Sequence, residues 1–390
     1  MLLSYRFNNF CSFWGDNEFS LEAPSGKVRR RYPDNYTEMD NGYSGLKTAV
    51  IVGENAGGKS NFMHSLLYLK SLFAENATVR SFPAYINYAS QKKEENPRQR
   101  FELELSPEDE TVYRYVLVID ATGILQEELY SRQAKKSKEE LLLRVERDDS
   151  GRYEITGKLK EKVPSISEQK QSGLGLFITK MAILGIEPAL SVTNWMNETL
   201  YAEKLGAEEI SIGRLQSDLE ILRDPRYTEI FRMVDYSICG MELDDEKPYS
   251  KTMVLRKDKS GNIQKRELSM DSAGVREFFA WAVQIFRVVY QDKVIMADEM
   301  DRVLNPILSD RVISYINGKQ HRGQFVFSTH NVLHLNLTTY LKEQIYFVTK
   351  DKDTLISEIY SLADFPEVRY ETTKIYEFYM KGILGGTSDE

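Results

Sequence analysis

The stretch GENAGGKSNF, residues 53–62, follows directly on the apolar run Ala49-Val50-Ile51-Val52, and this junction limits what the chain can fold into. Gly53-x4-Gly58-Lys59-Ser60 satisfies a phosphate-loop pattern. Its glycines let backbone N–H groups curl around an anion, Lys59 supplies a neutralising charge, and the Ser60 hydroxyl suits Mg²⁺. The small and β-branched residues before it read as a strand buried on both faces. Lys59 to Phe73, with Phe62, Leu66, Leu69 and Phe73 on one side, reads as an amphipathic helix. By average residue frequencies the bare pattern arises by accident in roughly one to two per cent of chains this long, and its strand-and-helix setting makes accident rarer still.

Two more apolar runs end in groups suited to phosphoryl chemistry. Val294-Ile295-Met296-Ala297 leads into Asp298-Glu299, where the first carboxylate can hold a Mg²⁺ shell and the second can orient and deprotonate an attacking water. Phe325 to Thr329 leads into His330, which at a strand's C-terminal edge can reach a γ-phosphate or that water. His64, His321 and His334 have no comparable setting and receive no role.

At 390 residues, with 42% apolar and 28% charged residues, the chain can bury a sizeable core and divide into lobes. Cys11 and Cys239 are the only cysteines, which gives neither a disulfide framework nor a zinc pattern. With no membrane span and no secretory signal, the expectation is a cytoplasmic protein. A net charge of −8 gives no overall bias toward nucleic acid. The basic stretches Lys27 to Arg31 and Lys135 to Lys138 read as solvated loops.

Along the chain, short strands open the sequence, and period-two patterns from Phe101 to about Ile155 predict an antiparallel meander. Residues from about 165 to 235 read as helical, and Ile307 to Ile316 as a helix between the two later strands. DKDTLISEIYSLADF reads as a hairpin with solvated Asp351 and Asp353, too short to house a nuclease fold of its own. Ile383 to Glu390 reads as a frayed tail. No Asn-Lys-x-Asp tetrapeptide occurs, which favours ATP over GTP.

The order GENAGGKSN, LSMDSAGVREF (268–278), VIMADEMDRVLNP (294–306), FSTHN (327–331) resembles ABC-type ATPases of the SMC and RecF kind. It is most similar to small stand-alone AAA-type ATPases of bacterial abortive-infection and anti-phage systems, such as the Septu ATPase subunit and the partners of RloB-like proteins. RFNNFCSF and the meander share the likeness. The resemblance implies an α/β P-loop NTPase fold of ABC type: a mixed sheet, an antiparallel β meander and a helical signature lobe. Its segments would be an ATPase lobe over 1–160, a helical lobe over 161–284 and the second ATPase part over 285–390.

The resemblance also implies a site. Gly53, Asn55, Gly57, Gly58, Lys59, Ser60 and Asn61 would hold ATP, Ser60 and Asp298 would hold Mg²⁺, and Glu299 and His330 would be catalytic. Ser272 and Gly274 match the signature motif that reaches a partner's nucleotide across a dimer, and Asp301 matches the D-loop aspartate. Val275 stands where a polar residue is common, and Asn305 replaces a frequent His. Gln91 and Gln99 are both candidates for the Q-loop glutamine.

Three functions follow from the likeness. One is a dimeric ATPase gating a separate effector, a nuclease being the expected kind, in anti-phage defence. Another is a repair or recombination ATPase that binds DNA or RNA directly. The third, a transporter motor, is disfavoured because LSMDSAG departs from a regular LSGGQ. No membrane partner is expected.

Overall fold

The computed structural model describes residues 1–108, 111–162, 175–203, 212–300, 304–370 and 374–385. Thr48–Val52 is buried throughout and pairs in parallel with Gln324–Thr329 on one side and Ile345–Lys350 on the other. Beyond the first neighbour lie Val294–Ala297 and then Leu200–Glu203, both parallel, while Ser357–Ser361 closes the opposite edge antiparallel. Strand alternation sends Ala49 and Ile51 into one core and Val50 and Val52 into another, so each of these four positions faces apolar packing.

The first core includes the inner face of a seven-stranded antiparallel sheet. Its order is Tyr153–Thr156, Glu140–Arg147, Gly123–Arg132, Val112–Asp120, Gln99–Leu105, Leu2–Asn8, Asn17–Ser20, which is the expected meander laid beside the opening strands. Helix Lys59–Leu72 packs here through Phe62, Leu66 and Leu69. The Phe62 ring centre lies 5.1–6.3 Å from those of Phe19, Phe7 and Tyr5. The second core is built by helices Ala273–Gln291 and Pro306–Asn317. Tyr346 ties the two large sheets together, its hydroxyl accepting from Ser20 N–H and donating to Ser20 C=O, both at 3.0 Å.

The expected helical lobe is more mixed than its sequence suggests. Helices Phe177–Ile183, Glu187–Asn194, Ile212–Arg223 and Pro225–Phe231 are present, but Leu200–Glu203 is an edge strand of the parallel sheet. A three-stranded antiparallel sheet, Ile238–Glu242, Met253–Lys257 and Ile263–Glu267, also lies within it. Residues 163–174 and 204–211 of the expected helical stretch fall outside the described residues. At the C-terminus the frayed-tail expectation fails at Leu384, which is fully buried and whose carbonyl accepts the Tyr360 hydroxyl at 2.7 Å.

One buried carboxylate joins meander and helical lobe. Glu127, fully buried on Gly123–Arg132, accepts the N–H groups of Phe177 at 2.8 Å and Ile178 at 2.9 Å, and the Tyr115 hydroxyl at 3.1 Å. It thereby satisfies donors that the first turn of Phe177–Ile183 leaves without intrahelical partners. Burial outweighs these bonds and pushes its carboxyl up to about 7 from an ordinary 4.5. A folded-state value above the unfolded one means that the contribution is whole below about 4.5 and is lost as pH rises through 7. Wild-type stability should therefore fall by about 2 kcal/mol between pH 5 and 8 through this group. Glu127→Gln should flatten that slope in urea unfolding, and parallel slopes for the two proteins would remove Glu127 as its source.

Candidate nucleotide site

The phosphate loop is held by close packing that only glycine permits. A Cβ on Gly53 would lie 2.2 Å from the Val348 carbonyl oxygen, so the loop leaves its strand pressed against the neighbouring backbone. Gly58 has φ +123°, and a Cβ there would meet Ser357 Oγ at 2.7 Å. Gly58 immediately precedes helix Lys59–Leu72, so backbone N–H groups are concentrated at the positive end of the helix dipole. The Lys59 side chain folds back, its Nζ donating to the carbonyls of Gly53 at 2.7 Å and Glu54 at 2.9 Å.

Sheet register brings the other groups to the same edge. Thr329 pairs with Val52 and Ala297 with Phe327, so the loop, the carboxylate pair and His330 all leave the C-terminal ends of adjacent parallel strands. Ser60 Oγ donates to Asp298 Oδ2 at 2.6 Å, linking the start of the helix to the end of the second strand. Glu299, a non-glycine residue at φ +54°, follows. Residues 54–56 and 58–61, with Asp298, Glu299 and His330, line a cavity of about 130 Å³. The structure thus brings together Asn55, Gly58, Lys59, Ser60, Asn61, Asp298, Glu299 and His330, while Gly53 and Gly57 shape the loop from behind.

Other expected residues lie elsewhere. Ser272 and Gly274 are exposed at the N-terminus of Ala273–Gln291, where Ser272 Oγ accepts the Val275 N–H at 3.4 Å; neither lines this cavity. Asp301 lies outside the described residues. Gln99 is fully buried and donates to the carbonyls of Asn9 and Tyr85, and Gln91 donates to those of Pro83 and Ile86, so neither reaches the cavity. Asn305 has a local role: its side chain accepts the Leu308 N–H at 3.0 Å and caps Pro306–Asn317, a position where Asn is favoured.

The sequence reading assigned no role to Ser328. This fully buried hydroxyl donates to Asp298 Oδ1 at 2.5 Å and accepts the Glu299 N–H at 2.8 Å. It therefore fixes one carboxylate by its side chain and the next by its backbone. Its place at the end of the buried run Gln324–Thr329, just before His330, was the available signal.

The Ser60 hydroxyl and Asp298 carboxylate are hard oxygen donors already in contact. They fit Mg²⁺, which takes one or two protein oxygens and completes its shell with phosphate and water. Among the described residues no cluster of three His, Cys, Asp or Glu side chains forms another metal site, and no helix is long and apolar enough to cross a membrane.

A phosphate loop and a carboxylate pair on parallel strands separated by the strand that leads into His330, with an antiparallel sheet over the loop helix and an exposed helix N-terminus apart from the cavity, define an ABC-type P-loop ATPase fold. An SMC head bound to the C-winged-helix domain of ScpA has this fold, at 14% identity and TM-score 0.50 over 92% of this chain and 97% of that one. The SMC head domain from Thermotoga maritima also aligns, at 15% identity and TM-score 0.41 over 92% and 98%. That from Pyrococcus furiosus, bound to the C-terminal domain of ScpA, aligns at 12% and 0.46 over 98% of each chain. No curated protein matches the sequence. Within the ABC-type class, residues 49–336 match the family described as "AAA domain, putative AbiEii toxin, Type IV TA system", and the chain belongs to that family.

The contact at Gly53 carries a test that needs no ligand. Gly53→Ala forces a methyl group against a backbone oxygen that cannot rotate away, and should destabilise the protein by about 2 kcal/mol or more in urea unfolding. Wild-type stability for this variant would show that the loop leaves its strand differently.

Proposed function

We propose that the protein binds and hydrolyses ATP as a homodimer and uses the nucleotide-dependent state of that dimer to gate a separate effector protein in anti-phage defence. The observation that carries this reading is the Lys59–Ser60–Asp298–Glu299–His330 grouping around one cavity, with Ser272 and Gly274 exposed on a different element. Each chain then holds one complete phosphate-binding half and one free signature half. Two copies, each presenting its signature to the other's cavity, make two composite sites, and that symmetry is closed. Membership of an abortive-infection family supports the defence setting. The working parts are the segments 1–160, 161–284 and 285–390, the middle one carrying the signature, and the setting is cytoplasmic.

In this reading the loop N–H groups and Lys59 neutralise the triphosphate. Ser60 and Asp298 hold Mg²⁺, which shields charge on the phosphates when bound. Glu299 takes a proton from the attacking water, with its backbone fixed by Ser328, and His330 stands at the cavity wall where the γ-phosphate would lie. The nuclease class of effector is inferred from the family resemblance alone. SMC heads crystallised with ScpA domains provide a precedent for a partner protein docking on this fold.

Lys59→Ala should abolish Mg·ATP binding in calorimetry, because the triphosphate then faces backbone donors only. Glu299→Gln should bind Mg·ATP yet hydrolyse it about 10²–10⁴-fold more slowly, since the amide cannot accept the proton. Mixing Ser272→Arg with Lys59→Ala protein should restore partial activity, because both defects fall in one composite site and leave the other intact. Activity that never rises on mixing, in a Glu299→Gln protein that stays monomeric with ATP, would overturn the dimeric reading. An ATP-dependent dimer that retains duplex DNA without any partner protein would favour the repair function instead.

A further inference from the structure

Behind the phosphate loop, four polar groups from three distant parts of the chain form a line that starts at Asn61 on the cavity wall and runs away from it. Asn61 Nδ2 lies 2.8 Å from Ser12 Oγ, Ser12 Oγ lies 2.8 Å from Ser357 Oγ, and Ser357 Oγ lies 2.6 Å from the Gly57 carbonyl oxygen. Chemistry fixes the polarity of this line. The Gly57 carbonyl can only accept, so Ser357 gives it the one proton its hydroxyl has. The bond between the serines is then supplied by Ser12, whose oxygen in turn accepts from the Asn61 amide. Ser357 is fully buried, and Ser12 and Ser357 both lie outside residues 49–336.

We propose that Ser357 is a positioning residue for nucleotide binding, acting through the Gly57–Gly58 peptide. This inference rests on the ATP-binding reading above. In a planar trans peptide the C=O and the following N–H point in opposite directions. A Gly57 carbonyl tied to Ser357 therefore turns the Gly58 N–H the other way. Gly58 lines the cavity whereas Gly57 and Ser357 do not, so that N–H is aimed at the anion site. The same bond polarises the peptide, and each donor upstream in the line strengthens the next. The two hydroxyls pack closely on this peptide: a Cβ on Gly58 would sit 2.7 Å from Ser357 Oγ and 3.1 Å from Ser12 Oγ.

The backbone allows the hydroxyl to be tested apart from the fold. Ser357 N–H donates to the Ser12 carbonyl at 2.8 Å, and a parallel bridge joins Phe13 and Ser357; neither needs the side chain. Ser357→Ala should still fold, melting only a few degrees below wild type without nucleotide, but bind Mg·ATP about ten-fold more weakly by calorimetry. The Michaelis constant should rise with turnover within about two-fold, because the relay acts on the loop and not on Glu299. Ser357→Cys, which keeps a somewhat larger γ atom but is a poor donor, should likewise weaken binding. Ser12→Ala should weaken binding less, and adding it to Ser357→Ala should cost nothing further, since a broken relay cannot be broken twice. Binding within two-fold of wild type for Ser357→Ala or Ser357→Cys, or fully additive losses in the double variant, would overturn the proposal. Were Ser357→Ala not to fold, unchanged affinity in Ser12→Ala would overturn it equally. A wild-type protein that does not bind Mg·ATP removes the nucleotide reading together with the relay's role, whereas a binding-competent wild type matched by Ser357→Ala removes the relay alone.

Discussion

Everything at the site depends on the parallel register of three strands. Thr48–Val52, Gln324–Thr329 and Val294–Ala297 are short, and each pairs with its neighbour so that the C-terminal ends form a step. A one-residue slip would reverse every side chain, placing Val50 and Val52 in the wrong core and moving Ser328 away from Asp298. Hydrophobic burial on both faces therefore enforces the geometry of the site. The same packing fixes Gly53 against Val348, so the loop's departure angle is decided by the sheet before any ligand arrives.

Polar groups buried at the other end of this sheet maintain its register. Gln324, fully buried, accepts the Leu2 N–H and donates to the carbonyls of Leu2 and Leu46. Gln344 reaches Thr48 in the same way. Lys47, also buried, donates to the carbonyls of Asn317 and Lys319 at the end of the Pro306–Asn317 helix, where a cation complements the dipole. Each group would be costly to bury without these partners, so each specifies one arrangement of strands and helices.

What the sequence revealed follows from signal strength. The buried strands and the glycine loop were legible because continuous apolar runs and a spaced glycine pattern have few other meanings. The meander was legible from its alternation. Leu200–Glu203 was not, because four residues set between helices give no period. The Ile238–Glu267 sheet was hidden because only Ile238 and Val254 of its strand residues are buried, leaving little apolar alternation to read. At the site, charged and glycine residues were visible by type, whereas Ser328 and Ser357 are common residues whose importance comes only from what they touch. Asn305, an oddity beside the family pattern, becomes an ordinary helix cap once Leu308 N–H is seen behind it.

The relay residues and the strand neighbours also set a schedule for synthesis. Thr48 pairs with Phe325, Val50 with Ile345, and Gly57 leans on Ser357. A nascent chain that has released the glycine loop from the ribosome has none of these supports, and the loop must wait through the whole middle segment for them. Such distant pairings fold slowly because loop closure must precede the contacts that reward it. Until the last strands emerge, the opening meander can form from local hairpins, but the helix after the glycine loop has only half of its packing. Competence for nucleotide then arrives late and all at once, so partly made chains are unable to compete with finished ones for ATP.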